Sequence, residues 1–429
     1  MNGERHFLLK NIRLVEPDDM KTDGVDLHFC LQNGQSRILQ VGKGLKVEKQ
    51  DGLMISNMHG ALACPAFFDL RSAMPRLESG GEESLETFLR SAVRGGFVRT
   101  LPRPFRYAVS DPGKCAELIS KTRSATCRVL PVIPLTYTKE GEPLRTDPAM
   151  LKKAGAAALS FEHERTEPDG KMLVEMLESC HQNGLLFIAP LSERSLTGQG
   201  AGKGVYAKAL KIAGEDRLSE LFALSKALLL AKTKNLPVHF PLVTLKESVN
   251  MISQAKKEGV PISCATSPPY FSFNESELFF SGREARLSPP LRTEEDRAAV
   301  IEGLRDGVID AICSDHTALS KTCIERDGML GASGFETVFG AGITHLVLPG
   351  HLSLYRFLQL ISTSPARVAG IDASIKEGNP ADIVFFDPNA PMVYTHQTLV
   401  TRGFNTPFLN KSLYGRVKTV YCNGVRRDT

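Results

Sequence analysis

The chain has 429 residues, a net charge of +4, and 42% hydrophobic and 23% charged residues, enough for one large globular domain and a smaller one. No basic stretch carries interleaved aromatics, so nucleic acid is not an expected partner. The longest apolar runs, such as 184–191, are too short to span a membrane.

The opening MNGERHFLLKN lacks the apolar core of a secretory leader, and nine cysteines are scattered with no Cys-x-x-Cys pair. The expectation is a reduced, cytoplasmic protein without a disulfide framework. Residues 1–60 carry short strand signals punctuated by turns, among them Phe7-Leu8-Leu9 and the run 25–31. From about 61 to 365, apolar runs of strand length alternate with helix-like segments. Eight runs stand out: 61–70, 97–102, 128–136, 156–161, 185–191, 236–243, 261–266 and 309–315. Several are apolar nearly throughout, as expected of parallel strands buried on both faces.

The intervening helices are marked by their periodicity. Met172, Leu173, Met176, Leu177 and Cys180 form one apolar face before Gly184. Val249, Ile252 and Ala255 precede Gly259 in the same way, and Thr293 with Asp296 resembles a capping box. Beyond residue 378, strand signals return at 383–386 and 416–422. The predicted fold is α/β: a (β/α)8 TIM barrel with a small β-sandwich built from both chain ends. The expected division is 1–60 for the N-terminal part of the sandwich, 61–370 for the barrel and 371–429 for the rest of the sandwich. An open doubly wound sheet is the alternative.

Active-site groups in such a barrel project from the C-terminal ends of the strands. Those ends read Asp69-Leu70-Arg71-Ser72-Ala73, Arg103, Ser160-Phe161-Glu162-His163, Pro190, Leu242 and Ser314-Asp315-His316. The set is poor in metal ligands and rich in proline and aliphatic side chains.

Several stretches are specific enough to carry a resemblance. These are Pro289-Pro290-Leu291-Arg292-Thr293-Glu294-Glu295-Asp296-Arg297, the run 307–316, Gly334-Phe335-Glu336-Thr337, Ser364-Pro365-Ala366-Arg367 and Arg402-Gly403-Phe404-Asn405-Thr406-Pro407-Phe408. With them the chain resembles the type I dihydroorotases, zinc-dependent amidohydrolases that close carbamoyl-aspartate to dihydroorotate, nearly end to end. Carried over position by position, the resemblance implies a degenerate site. The two first-strand metal histidines fall on Arg71 and Ala73, and the metal-bridging aspartate falls on or beside Phe161. The fifth- and sixth-strand histidines fall on Pro190 and Leu242. The family's substrate positions fall on Arg103, Ser288 and Leu319. Asp315, the general-base position, is the one survivor.

Neither guanidinium nor methyl ligates zinc, and one carboxylate cannot hold a catalytic ion that needs about three protein ligands. No zinc or other cofactor is therefore expected. Arg71 is expected either to occupy the vacated space and pair with Asp69 or Asp315, or to reach solvent at the barrel mouth. Glu162, His163 and His316 are the residues from which a relocated metal site could be built. His239 reads as a core residue donating to a backbone carbonyl, and Gly200 to Gly204 as a mobile loop.

The functional expectation is an inactive dihydroorotase-like protein of pyrimidine biosynthesis. The resemblance implies a non-catalytic subunit, within a homo- or hetero-oligomer, that assembles with aspartate carbamoyltransferase. The alternatives are an active cyclic amidohydrolase with a rebuilt metal site, and a sensor holding an anion on Arg71 and Arg103.

Overall fold

The structure, a computed structural model, describes residues 4–48, 52–75, 83–104, 109, 111–122, 127–139, 142–162, 168–325, 328–403 and 405–429. The strand signals at the two chain ends pair into one network. From its C-terminal edge the order is Val425–Asp428, Ser412–Cys422, Ile383–Val393, Leu62–Pro65, Arg5–Glu16, Lys21–Gln32 and Gln35–Gly42. Leu53–Asn57 adds to Arg5–Glu16 in parallel. Leu9, Leu14, Leu27, Phe29, Ile38, Ile383, Phe385 and Tyr421 fill the core of this small β-sandwich.

The apolar run at 61–70 serves two layers. Leu62–Pro65 pairs antiparallel with Ile383–Phe386 in the sandwich, and the first barrel strand, Phe67–Ala73, begins after Ala66. The expected single strand is therefore split at the domain junction. Asp382 secures that junction: its carbonyl accepts the Ala66 amide at 3.1 Å, and its carboxylate takes Arg99 of the second barrel strand at 2.6 Å.

The barrel strands continue with Phe97–Arg103, then Arg128–Val129 and Val132–Pro134, Ala158–Ser160, Leu186–Ile188, Val238–Phe240, Ile262–Thr266 and Ala311–Ile312, all in parallel register with their neighbours. The third strand is broken at Pro131, which has no amide proton to give to a ladder. The circle closes between the eighth and first strands by side-chain and short backbone links. Ser72 bridges His316, the Ala73 amide donates to the His316 carbonyl at 2.6 Å, and the Ser314 amide donates to Asp69 Oδ1 at 2.7 Å.

The helices follow the sequence signals. Gly170–Gln182 is capped by Asp169 and ends before Gly184, which has φ +63°. Lys246–Lys257 stops before Gly259, and Glu294–Arg305 opens on the Thr293/Asp296 capping box. The stretch from Gly200 to Gly204 is not a free loop: Ala201 is buried, and the Lys203 and Glu215 amides exchange bonds with the Glu215 and Ala201 carbonyls at 2.8 Å. Among the described residues no helix is long and apolar enough to cross a membrane.

Closure demands a residue without a side chain at Gly334, where a Cβ would lie 1.9 Å from the Ser314 carbonyl oxygen. The backbones must part to admit one. Gly334→Ala should lower unfolding stability by about 3 kcal/mol in chemical denaturation.

Candidate functional site

Strands place alternate side chains on opposite faces, and this decides what the mouth of the barrel contains. On the fourth strand Leu159 belongs to the outer core with Ile133 and Phe187, whereas Ala158 belongs to the inner cluster with Val132, Ile188, Ala265 and Cys313. Continuing that phase sends Phe161 outward and Glu162 inward. Phe161 packs against Phe187 at a ring separation of 6.0 Å, beside the helices, and not in the mouth. The position facing the site is thus Glu162, the residue beside Phe161.

Arg71 crosses the mouth from the first strand. Its Nε donates to Asp315 Oδ1 at 2.7 Å, and its terminal nitrogens form a two-pronged pair with Glu162, one of them at 2.7 Å. Arg103, at the end of the second strand, donates to Glu162 Oε1 at 2.7 Å and to Thr317 Oγ1 at 2.9 Å. Among the described residues, two guanidiniums and two carboxylates from strands one, two, four and eight therefore form one largely buried cluster of matched charge. Burial alone would lower the Arg71 pKa, but Glu162 and Asp315 outweigh it and hold the guanidinium well above its usual range.

The expected pairing of Arg71 with Asp315 is found, together with Glu162, but the alternative pairing with Asp69 is not. Asp69 is fully buried and accepts from the Ser314 amide and, at 2.9 Å, from Thr100 Oγ1. Burial pushes its pKa up to about 6 despite these donors. Asp315 has a left-handed backbone, φ +48°, which aspartate tolerates better than most residues.

The other expected site positions are scattered. Ala73 and Leu242 are buried, and Leu242 belongs to the inner apolar cluster. Pro190 follows the fifth strand, and Ser288 is exposed in the loop before Pro289. Leu319 is buried, with its amide donating to Asn405 Oδ1 at 2.9 Å. The space bordered by Asp315, Leu287, Ser267 and Gly334 has a volume of about 10 Å³, room for one water molecule at most.

Among the described residues, a relocated metal site is not assembled. His316 Nδ1 accepts the Gly334 and Phe335 amides at 3.2 and 3.4 Å, which places the ring proton on Nε2, 2.7 Å from Glu83. Both ring nitrogens are thereby committed, and the ring stacks on Phe335. His163 lies outside the described residues. Among the described residues no group of three or more His, Cys, Asp or Glu is arranged to hold a metal ion. His239 is in the core as expected, but its Nδ1 meets Ser263 Oγ at 2.9 Å instead of a carbonyl. Burial lowers its pKa to about 3.

Comparison with known proteins places this geometry in context. The model of the amidohydrolase family matches residues 145–427. The chain belongs to the amidohydrolase family. Within it the chain is dihydroorotase-like: it is 30% identical over 384 residues to a dihydroorotase of Thermoanaerobacter sp. (strain X514), covering 88% of each chain. It is 29% identical over 417 residues to the dihydroorotase of Aquifex aeolicus, covering 96% of each. The fold is that of the L-hydantoinase from Arthrobacter aurescens, with a TM-score of 0.81 at 18% identity over 98% of this chain and 95% of that one. The dihydropyrimidinase from Brevibacillus agri is as close in shape, with a TM-score of 0.80 at 18% identity over 99% and 95%.

The zinc implied by this family does not fit the residues present. Arg71 directs positive charge to the centre of the mouth, where Glu162 and Asp315 already accept it, and Ala73, Pro190 and Leu242 have no donor atoms. Sequence reasoning left open which residue on or beside Phe161 faces the site, and that residue is Glu162. The inner–outer phase of the fourth strand, set by Ala158 and Leu159, was the signal that identifies it.

Two consequences can be measured. Arg71→Met leaves two carboxylates facing each other and should cost about 3 kcal/mol of stability, part of which Arg71→Met/Glu162→Gln recovers in the same denaturation assay. Asp69 binds its proton more tightly folded than unfolded, so its contribution to stability falls as pH rises from about 4 to about 6. The stability of the wild-type protein relative to Asp69→Asn should drop by on the order of 3 kcal/mol across that window.

Proposed function

We propose that this chain is a non-catalytic dihydroorotase-like subunit, a barrel used for its shape and surface. The observation that supports this most strongly is the buried guanidinium of Arg71, bonded at once to Glu162 and Asp315 where an amidohydrolase would hold its metal. Asp315 in this setting is a counter-ion. Its negative charge is neutralised by an arginine that cannot surrender a proton at neutral pH.

The retained dihydroorotase likeness supports a place in pyrimidine biosynthesis, in the cytoplasm, with aspartate carbamoyltransferase as partner, and the seating of Arg71 between Glu162 and Asp315 supports a chain without bound zinc. An active enzyme with a rebuilt site would need about three ligands converging on one point. The engagement of His316 with Glu83 and with two backbone amides argues against it. An anion sensor would need free cations at the mouth, whereas Arg71 and Arg103 are both bonded to Glu162.

Purified protein should carry well under one zinc per chain by elemental analysis and should not hydrolyse dihydroorotate above background. Stoichiometric zinc with turnover would overturn the proposal. The partner is tested separately by mixing the chain with aspartate carbamoyltransferase of the same organism. Co-elution at a larger mass, with altered carbamoyltransferase activity, is expected; independent elution removes that partner.

A further inference from the structure

The turn of the first hairpin, residues 17–20, reaches from the sandwich onto the helices of the barrel. Asp18 fixes it there, accepting from Gln359, Thr363 and Arg367, each at 2.9 Å. Beside this contact a cleft of about 310 Å³ runs between the turn, the end of the helix Glu294–Arg305 and the start of the helix Leu354–Ile361. Glu294–Arg305 leads into the start of the eighth strand, so the cleft lies at the base of the barrel, at the end opposite the Arg71 cluster.

The walls of this cleft carry an excess of positive charge. Arg305, His351 and Arg356 line it. Among the described residues Asp18 is the one carboxylate that does so, and Arg367 already meets its charge. A guanidinium has five N–H groups. Arg356 gives three of them to neutral acceptors: the Leu304 carbonyl at 3.1 Å, the Ile309 carbonyl at 3.3 Å and Gln359 Oε1 at 2.6 Å. The acidic group that acts on it, Asp310, is bound by Lys256 at 2.6 Å. Arg356 is therefore a half-buried cation without a paired carboxylate among the described residues, and burial lowers its pKa. Arg305 gives its Nε to Asp306 at 2.9 Å, and among the described residues its two terminal nitrogens have no partner. His351 is exposed at the same cleft.

We infer that this cleft binds a phosphoryl group carried by a small monoester, with Arg305, His351 and Arg356 holding the oxygens. Donors that arrive from two helices and a loop suit a tetrahedral group with three terminal oxygens, whereas a planar carboxylate is satisfied by one guanidinium fork. The organic part has a surface to lie on, since Met20 and Pro17 of the turn form an apolar wall and Met20 is 64% exposed. The volume is at the low end for small-molecule sites, which suits a sugar phosphate and leaves no room for a dinucleotide. Such a ligand would touch the hairpin turn and the barrel helices together, so its binding stabilises their contact. The inference is independent of the catalytic state of the mouth.

Calorimetry on the full chain, with inorganic phosphate, ribose 5-phosphate and acetate as probes, tests the site. Both phosphates should bind saturably at one site per chain and raise the melting temperature, ribose 5-phosphate more tightly, and acetate should give no saturable heat. Arg305→Ser and His351→Ala, both at exposed positions, should keep the melting temperature of the unliganded chain. Each should weaken both phosphates by about 10-fold, the usual effect of losing one hydrogen bond to a charged group. Met20→Ser should weaken ribose 5-phosphate alone. The absence of saturable heat from both phosphates overturns the inference, as does an affinity that neither Arg305→Ser nor His351→Ala moves. Acetate binding as tightly as phosphate overturns the phosphoryl assignment, and ribose 5-phosphate binding no better than inorganic phosphate overturns the ester.

Discussion

The mouth of this barrel is organised by one guanidinium. Arg71 comes from the first strand and is bonded to Glu162 from the fourth and Asp315 from the eighth, while Arg103 reinforces Glu162 from the second. Removing these charges from water is costly, and their attraction offsets the cost only because the geometry is close and the charges balance. Arginine suits the place better than lysine, since its planar fork meets two acceptors at fixed angles. Because its partners lie on strands far apart in sequence, the cluster also braces the rim of the barrel against opening.

The motifs that carry the family likeness serve closure. Glu336 accepts the Val400 and Thr401 amides at 3.0 Å, and Thr401 in turn donates to Glu83, which holds His316. Asn405 accepts the Leu319 amide and donates to the carbonyls of Thr317 and Gly331. These buried, mutually satisfied groups fasten the loops after the eighth strand to the sandwich side of the molecule. None of them requires a metal, so the ligating residues can be lost while this fastening remains in place.

The architecture was largely legible in the sequence, because long buried strands and amphipathic helices write periodic patterns. The capping box at Thr293 and the glycine stops at Gly184 and Gly259 are local signals, and local structure obeys them. The misreadings concern places where one run serves two neighbours or where side-chain direction matters. The split at Ala66 depends on pairing with Ile383–Phe386, more than 300 residues away in the chain. The choice between Phe161 and Glu162 depends on a phase of one residue, which a short strand of three residues barely announces. The partners of Asp69 and His239 are set by neighbouring strands and carry no sequence signal of their own.

The Arg71 cluster also bears on how such a chain could change. A histidine placed at position 71 alone would leave Glu162 and Asp315 facing each other with one cation fewer. Ligands placed first at 190 or 242 would meet an arginine where an ion should sit. A first substitution at position 71 therefore takes away the cation that the two buried carboxylates share before any ligand is in place, and the guanidinium seated between them makes that step a destabilising one.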